Sequence, residues 1–386
     1  MTASIDRISI ATLMAGVSVI GANSLAMGPI APGIAQEFSQ PVVLVMMAAA
    51  AYGLGTAVSA LLLARYIDRF GAKRSLQVAL IGLTLGLGLS AVASNAGVLI
   101  ASQAIAGLAA GVGLPSIYAA SALLSPDDKK NTVLGWVLVG WTISLVAGVS
   151  LAALVADIFS FRLVYVVLAA LAAAVAILSV RLPTDRIRDA QSTHTLRSVF
   201  LVFALPLVAP YLIVCFAYMM AFYGVYGYLG DHLVSTLNQP LRNTAWIALS
   251  YGLGFGLAVF GDPTIDRFGA KKLIAPAFGL IALVYLALAV SSGSVRFLVS
   301  FSFLWGVCNH FGLNVIISGL SSIDENQRGK ILGLYSCVTY LAAFAGTLLY
   351  GAIYQPFGFA LVAITASVTM LASTLFTFRR ISRTAR

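Results

Sequence analysis

The sequence predicts an all-α membrane protein of twelve transmembrane helices arranged as two six-helix, pseudo-symmetric bundles. Three observations predict it: a composition too apolar for water, apolar runs of spanning length, and one hexapeptide that occurs twice at matching places. Of the 386 residues, 60% are hydrophobic and 9% charged, with a mean hydropathy of +0.97; a soluble domain carries roughly a quarter charged residues. The apolar character runs the whole length of the chain, which excludes a soluble domain with a single anchor helix.

Backbone amides in hydrocarbon need internal partners, which leaves helix bundles or closed barrels. Barrel strands alternate every second residue. Here the apolar runs last about twenty residues, the length that crosses a core of about 30 Å as a helix. Bounded by charged or Pro/Gly-rich breaks, the predicted spans lie near 8–31, 42–64, 74–94, 97–123, 132–156 and 160–181, then 200–229, 243–264, 272–291, 296–320, 331–352 and 357–378. Arg7 ahead of an apolar run could open a signal peptide, but Ile8 to Ile30 is too long for one and has no clear cleavage site. It reads as the first span. The longest polar stretch, residues 182–199, is the expected cytoplasmic linker between an N-terminal bundle (1–181) and a C-terminal bundle (200–386) that ends in a short basic tail.

Lys and Arg set the orientation. With both termini cytoplasmic, twenty of the 23 basic residues fall in inside segments, and only Arg162, Arg242 and Arg296 lie outside. An odd number of helices would scramble this alternation. The net charge of +10 comes from small groups flanking apolar runs, not from one basic stripe, so nucleic acid is not an expected partner. Cys215, Cys308 and Cys337 sit inside apolar runs without ligand-like spacing; neither a disulfide framework nor a metal site is expected, and no cofactor is indicated.

Asp68-Arg69-Phe70-Gly71-Ala72-Lys73 recurs unchanged as Asp266-Arg267-Phe268-Gly269-Ala270-Lys271, 198 residues further on. Lys130 with Leu134-Gly135, against Arg328 with Leu332-Gly333, repeats the same offset. The chain is a tandem duplication.

The stretch Asp68-Arg69-Phe70-Gly71-Ala72-Lys73-Arg74 between helices 2 and 3, repeated between helices 8 and 9, resembles the loop signature of the major facilitator superfamily, and the resemblance covers the whole chain. Ala64, Ala72 and Asp262 depart from its usual glycine, arginine and glycine. The resemblance implies alternating access, with Asp68, Arg69, Gly71, Arg74, Asp266, Arg267 and Gly269 as a gating motif that latches the cytoplasmic side. Solvated positive-inside charge is the plainer account of the same residues. Ser125-Pro126, Pro29 to Ala35 and Phe161-Arg162 also resemble the drug and metabolite exporter branch. Exporters of that branch place an arginine where this chain has Gln103, a helix-1 carboxylate where it has Asn23, and a proline-kinked glycine motif in helix 5 of which only Gly140 and Gly148 remain. Without the proline, that kink is not expected.

All thirteen acidic residues fall at predicted helix ends or in loops, so carboxylate-driven coupling at mid-membrane is not expected. His310 is the ionisable group left at depth, near the middle of helix 10, with Asn314 one turn on along the same face. Intramembrane ionisable groups default to functional hypotheses, and a reference pKa of about 6.5 suits reversible protonation; a histidine bonded to a neighbouring helix is the equal alternative. Asp231-His232, at the outer end of helix 7, is a second candidate pair that reads as an interfacial gate or, more simply, as a wet helix end, and Tyr226 and Tyr228 read as an interfacial belt. Tyr218, Phe222 and Tyr223, with Asn23, Gln103, Trp141, Tyr251 and Asn309, could line a neutral, aromatic substrate cavity between the halves. Taken one at a time, packing accounts for each of them.

The expected function is secondary transport of a small organic molecule, neutral, zwitterionic or amphiphilic, across the cell's inner membrane. Efflux with protons as a second partner is the first reading, and uptake by symport or facilitated diffusion the alternative. The lipid bilayer is the solvent, and one chain suffices for the pathway. A membrane enzyme would need a catalytic cluster that the sequence lacks, and a receptor or scaffold gives the duplicated gating loops no purpose.

Overall fold

The computed structural model describes residues 7–63, 66–124, 130–183, 201–324 and 327–382. The predicted linker beyond residue 183, and with it Ala64, Arg65, Ser125-Pro126, Lys129 and the last four residues, lies outside the described residues, as does the side chain of Asp68. Among the described residues every regular element is a helix.

The spans of the first half are α1 (Arg7–Phe38), α2 (Val42–Leu62), α3 (Ala72–Ala91), α4 (Ala96–Leu123), α5 (Thr132–Ile158) and α6 (Phe161–Arg181). Those of the second are α7 (Val208–Thr236), α8 (Leu241–Gly261), α9 (Ala270–Val290) and α10 (Val295–Ser321), followed by one stretch, Arg328–Thr377. Its 50 residues would run about 75 Å, more than twice the hydrocarbon thickness. Pro356 and Gly358, at φ 73°, break it, giving α11 (residues 328–357) and α12 (residues 359–377), so the described spans number twelve.

Three helices differ from expectation, each for a local reason. α1 continues through Pro29 and Pro32 to Phe38, because leaving the helix in hydrocarbon would strand many backbone groups whereas each proline removes one bond. α7 begins at Val208, after Leu207 in a left-handed conformation (φ 71°), and continues beyond residue 229 as a π-helical turn, His232–Thr236. Asp231 and His232 therefore lie inside the span at 8% and 6% exposure, which corrects the reading of a wet helix end. Tyr226 and Tyr228 are buried too and form no interfacial belt. In α5 a π-helical turn, Ser144–Val149, supplies an irregularity without the proline, since one extra residue in a turn also disrupts the i→i−4 ladder.

The chain divides into two compact units, Met1–His194 and Thr195–Arg386. In the first, α1 packs on α5, α2 on α4, and α3 on both α4 and α6. The second repeats the scheme, with α7 against α11, α8 against α10, and α9 against α10 and α12. The duplication extends to single atoms. A Cβ on Gly107 would collide with the Tyr52 carbonyl where α4 crosses α2, and one on Gly306 with the Tyr251 carbonyl where α10 crosses α8. Both members of the second pair stand 199 residues beyond the first. Helices that pack through van der Waals contact in lipid use such small residues to bring backbones together.

Candidate functional site

In the first unit a buried polar cluster joins three helices. Asn23 of α1 donates to Gln103 of α4 at 3.0 Å, and Gln103 donates to Ser90 of α3 at 3.0 Å. Ser90 and Ser102 share a hydroxyl contact at 2.7 Å. All four residues are at most 4% exposed. The two neutral residues that stand where the exporter resemblance puts an acid and an arginine thus bind each other. Trp141 bonds outside this cluster, donating from Nε1 to the Tyr118 hydroxyl at 3.3 Å.

The second unit holds an aromatic cluster around Trp305, which is fully buried. Tyr251 meets Trp305 edge-on at 5.0 Å, Phe222 and Tyr285 each lie 5.6 Å from it, and Phe222 stacks on Tyr251 at 5.6 Å. Tyr223 touches Phe222 at 5.1 Å, and Tyr226 joins from the other side. Asn309 threads the cluster: its Nδ2 donates to the Tyr251 hydroxyl at 3.1 Å, and its backbone carbonyl accepts from the Tyr218 hydroxyl at 2.9 Å. The Asn309 Oδ1 is buried with no partner among the described residues. Of the predicted residues, Tyr218, Phe222, Tyr223, Tyr251 and Asn309 meet here. Trp305, Tyr226 and Tyr285 were not anticipated; Trp305, four residues before Asn309, was the available signal.

One turn further along α10 the chemistry changes. His310 Nε2 lies 2.8 Å from Asp262 Oδ1, and the Asn314 amide sits 2.8 Å from the same nitrogen and 3.1 Å from the same oxygen. Asp262 follows directly on α8 and precedes the second loop copy, at the position where the family signature has glycine. His310 is thus bonded to a carboxylate at the end of a neighbouring helix. One proton decides the triangle. Carried on Nε2 it is donated to Asp262; carried on Nδ1 instead, it leaves Nε2 to accept from Asn314. The ring is clamped edge-on by Phe255 at 5.1 Å and Phe311 at 5.8 Å, and its Nδ1 is buried without a partner among the described residues.

The two loop copies fold alike. Gly71 and Gly269 both take positive φ, 85° and 81°, directly before α3 and α9, a conformation that glycine reaches at little cost. The guanidinium of Arg69 lies over Phe70 at 5.5 Å and that of Arg267 over Phe268 at 5.3 Å. Arg74 and Asp266 are exposed. Lys73 reaches the Val180 carbonyl at the end of α6 at 2.8 Å. At the opposite end of this unit, Arg162 of α6 pairs with Glu37 at the end of α1 and donates to the Ala93 carbonyl at 3.0 Å.

Two units of six packed helices with matched loops and buried neutral polar clusters define a multi-pass membrane transporter. The sequence pattern of the Major Facilitator Superfamily matches residues 12–323 and 232–386, and the chain belongs to that family. It is 27% identical over 378 residues to the uncharacterized MFS-type transporter YwfA of Bacillus subtilis, covering 95% of this chain and 90% of that one. It is 25% identical over 352 residues to a chloramphenicol efflux pump of Mycobacterium tuberculosis, covering 89% of this chain and 84% of the pump. In fold it is similar to the nucleoside transporter NupG, with a TM-score of 0.80 at 14% identity over 97% of this chain and all of the other.

Proposed function

We propose that the protein exports a small organic molecule, neutral, zwitterionic or amphiphilic, across the inner membrane by proton-coupled alternating access. The observation that carries the cargo class is the Asn23–Gln103 pair. Two buried amides that bond to one another and to Ser90 keep further donor and acceptor capacity for hydroxyl, carbonyl and amide groups, but they offer no charge to anchor an ionic substrate. The aromatic cluster with the unpartnered Asn309 Oδ1 adds flat apolar surface and one acceptor. Likeness to an efflux pump over most of the chain supports the outward direction. His310, Asp262 and Asn314 are the residues we assign to the proton, and the duplicated loops, Asp68 to Arg74 and Asp266 to Gly269, to the gate on the cytoplasmic side.

The test uses purified protein in proteoliposomes with labelled chloramphenicol and uridine as probes, with and without a pH gradient. Efflux predicts that probe moves against the direction of proton flow. His310→Gln and Asp262→Asn should each cut gradient-driven transport at least tenfold while leaving gradient-free exchange of the probe. Gradient-insensitive accumulation that survives His310→Gln would sink the proton role. Probe moving along with the protons would replace efflux by uptake symport.

A further inference from the structure

At the end of the second unit opposite its duplicated loop, α7 carries two adjacent ionisable residues, Asp231 and His232, buried at 8% and 6% exposure. Asp231 accepts from the Tyr354 hydroxyl at 2.6 Å through Oδ2 and from the Ser235 hydroxyl at 2.8 Å through Oδ1. Both donors are neutral. His232 Nε2 lies 2.7 Å from the Ser292 carbonyl. A carbonyl only accepts, so Nε2 carries the ring's proton. That leaves Nδ1 as a bare lone pair, and this nitrogen is buried with no partner among the described residues.

We propose that His232 Nδ1, on the residue that follows Asp231 along α7, is a proton-binding site of this transporter separate from the His310 cluster. A single proton from water forms the Nδ1–H bond, and no other bond breaks. The negative charge of Asp231, one residue earlier on α7, favours the imidazolium that this proton creates. Among the described residues, the titratable groups near this end are Asp231 on the same helix, Tyr354 of α11, which bonds to Asp231, and Tyr228, which stacks on Tyr354; Arg242, on the neighbouring turn Leu241–Asn243, is exposed.

The surroundings give the proton a structural effect. The imidazole stacks on Phe359 at 4.9 Å and 19°, an arrangement that strengthens when the ring becomes a cation. Phe359 follows Gly358 and Tyr354 precedes Pro356, so both contacts flank the break between α11 and α12. The π-helical turn begins at His232 itself, closed by Leu237 N–H to the His232 carbonyl at 3.1 Å; such turns recur at functional sites. Protonation at Nδ1 thus acts at the break between α11 and α12.

The chain has three histidines, which makes nitrogen NMR of histidine-labelled protein in liposomes decisive without any substrate. His232→Gln and His310→Gln assign the signals. At pH 9 the His232 ring is expected with a protonated Nε2 and a bare Nδ1, converting to the doubly protonated form as the pH falls to 5. Asp231→Asn should remove the doubly protonated signal over that range, and His310→Gln should leave it intact, so this site stands even if the His310 reading fails. A wild-type ring protonated at Nδ1 alone, or one that stays neutral down to pH 5, would overturn the proposal.

Discussion

Asn23 and Gln103 illustrate how a residue's meaning depends on its partner. Singly, each is a polar side chain in an apolar helix, and its cost in hydrocarbon is several kcal/mol if left unbonded. Together with Ser90 they satisfy one another. Gln103→Leu is expected to lower stability by about 1–2 kcal/mol, since it strands the Asn23 amide and removes interhelical bonds of modest individual worth; thermal unfolding in detergent reads the loss. Tyr228→Phe, which deletes only the hydroxyl bond to the Thr347 carbonyl, should cost less, about 0.6 kcal/mol, in the same assay. Both amides could be picked from the sequence as departures from a family pattern, but their pairing could not, because 80 residues separate them. The same holds for Asp262. In the sequence it is one more acid at a helix end; only the packing of α8 on α10 brings it to His310.

At the scale of helices, the glycines divide by what faces them. Gly107 and Gly306 meet carbonyl oxygens of the neighbouring helix, whereas Gly88 in α3 has nothing within 4 Å of where a Cβ would stand. Gly107→Ala and Gly306→Ala are expected to cost about 3 kcal/mol each, because two rigid backbones must separate. Gly88→Ala should be neutral or stabilise by up to about 1 kcal/mol through a less flexible unfolded chain. A set of melting curves on the three variants checks the contrast. Gly358 is a third case: the space is open but φ is 73°, so Gly358→Ala is expected to cost about 1–3 kcal/mol through backbone strain alone. The boundaries of α1, α7 and α5 were the least legible elements. Proline inside α1 and the π-helical turns in α5 and α7 obey no hydropathy pattern, since bilayer constraints and neighbouring helices override the local preference.

For the molecule as a whole, the distribution of Lys and Arg makes a prediction about the membrane rather than the fold. A fluorescent protein fused after Arg386 should fluoresce, and alkaline phosphatase inserted after Gln239 or Gly293 should be active, if both termini face the cytoplasm; the reverse pattern would invert the topology. The number of spans, the helical class and the duplication were all determined by the sequence, because hydropathy and exact repetition are properties of the chain itself and the bilayer leaves a hydrophobic run few alternatives. The duplicated loops were legible for the same reason, as contiguous residues repeated in order. What only the tertiary structure decided is which distant side chains share a site. Asn23 with Gln103, His310 with Asp262, and Asp231 with Tyr354 are separated by 80, 48 and 123 residues. Nothing in the spacing of such residues encodes their contact; it arises from which helix faces meet, and those faces are set by close backbone approaches that no single helix contains.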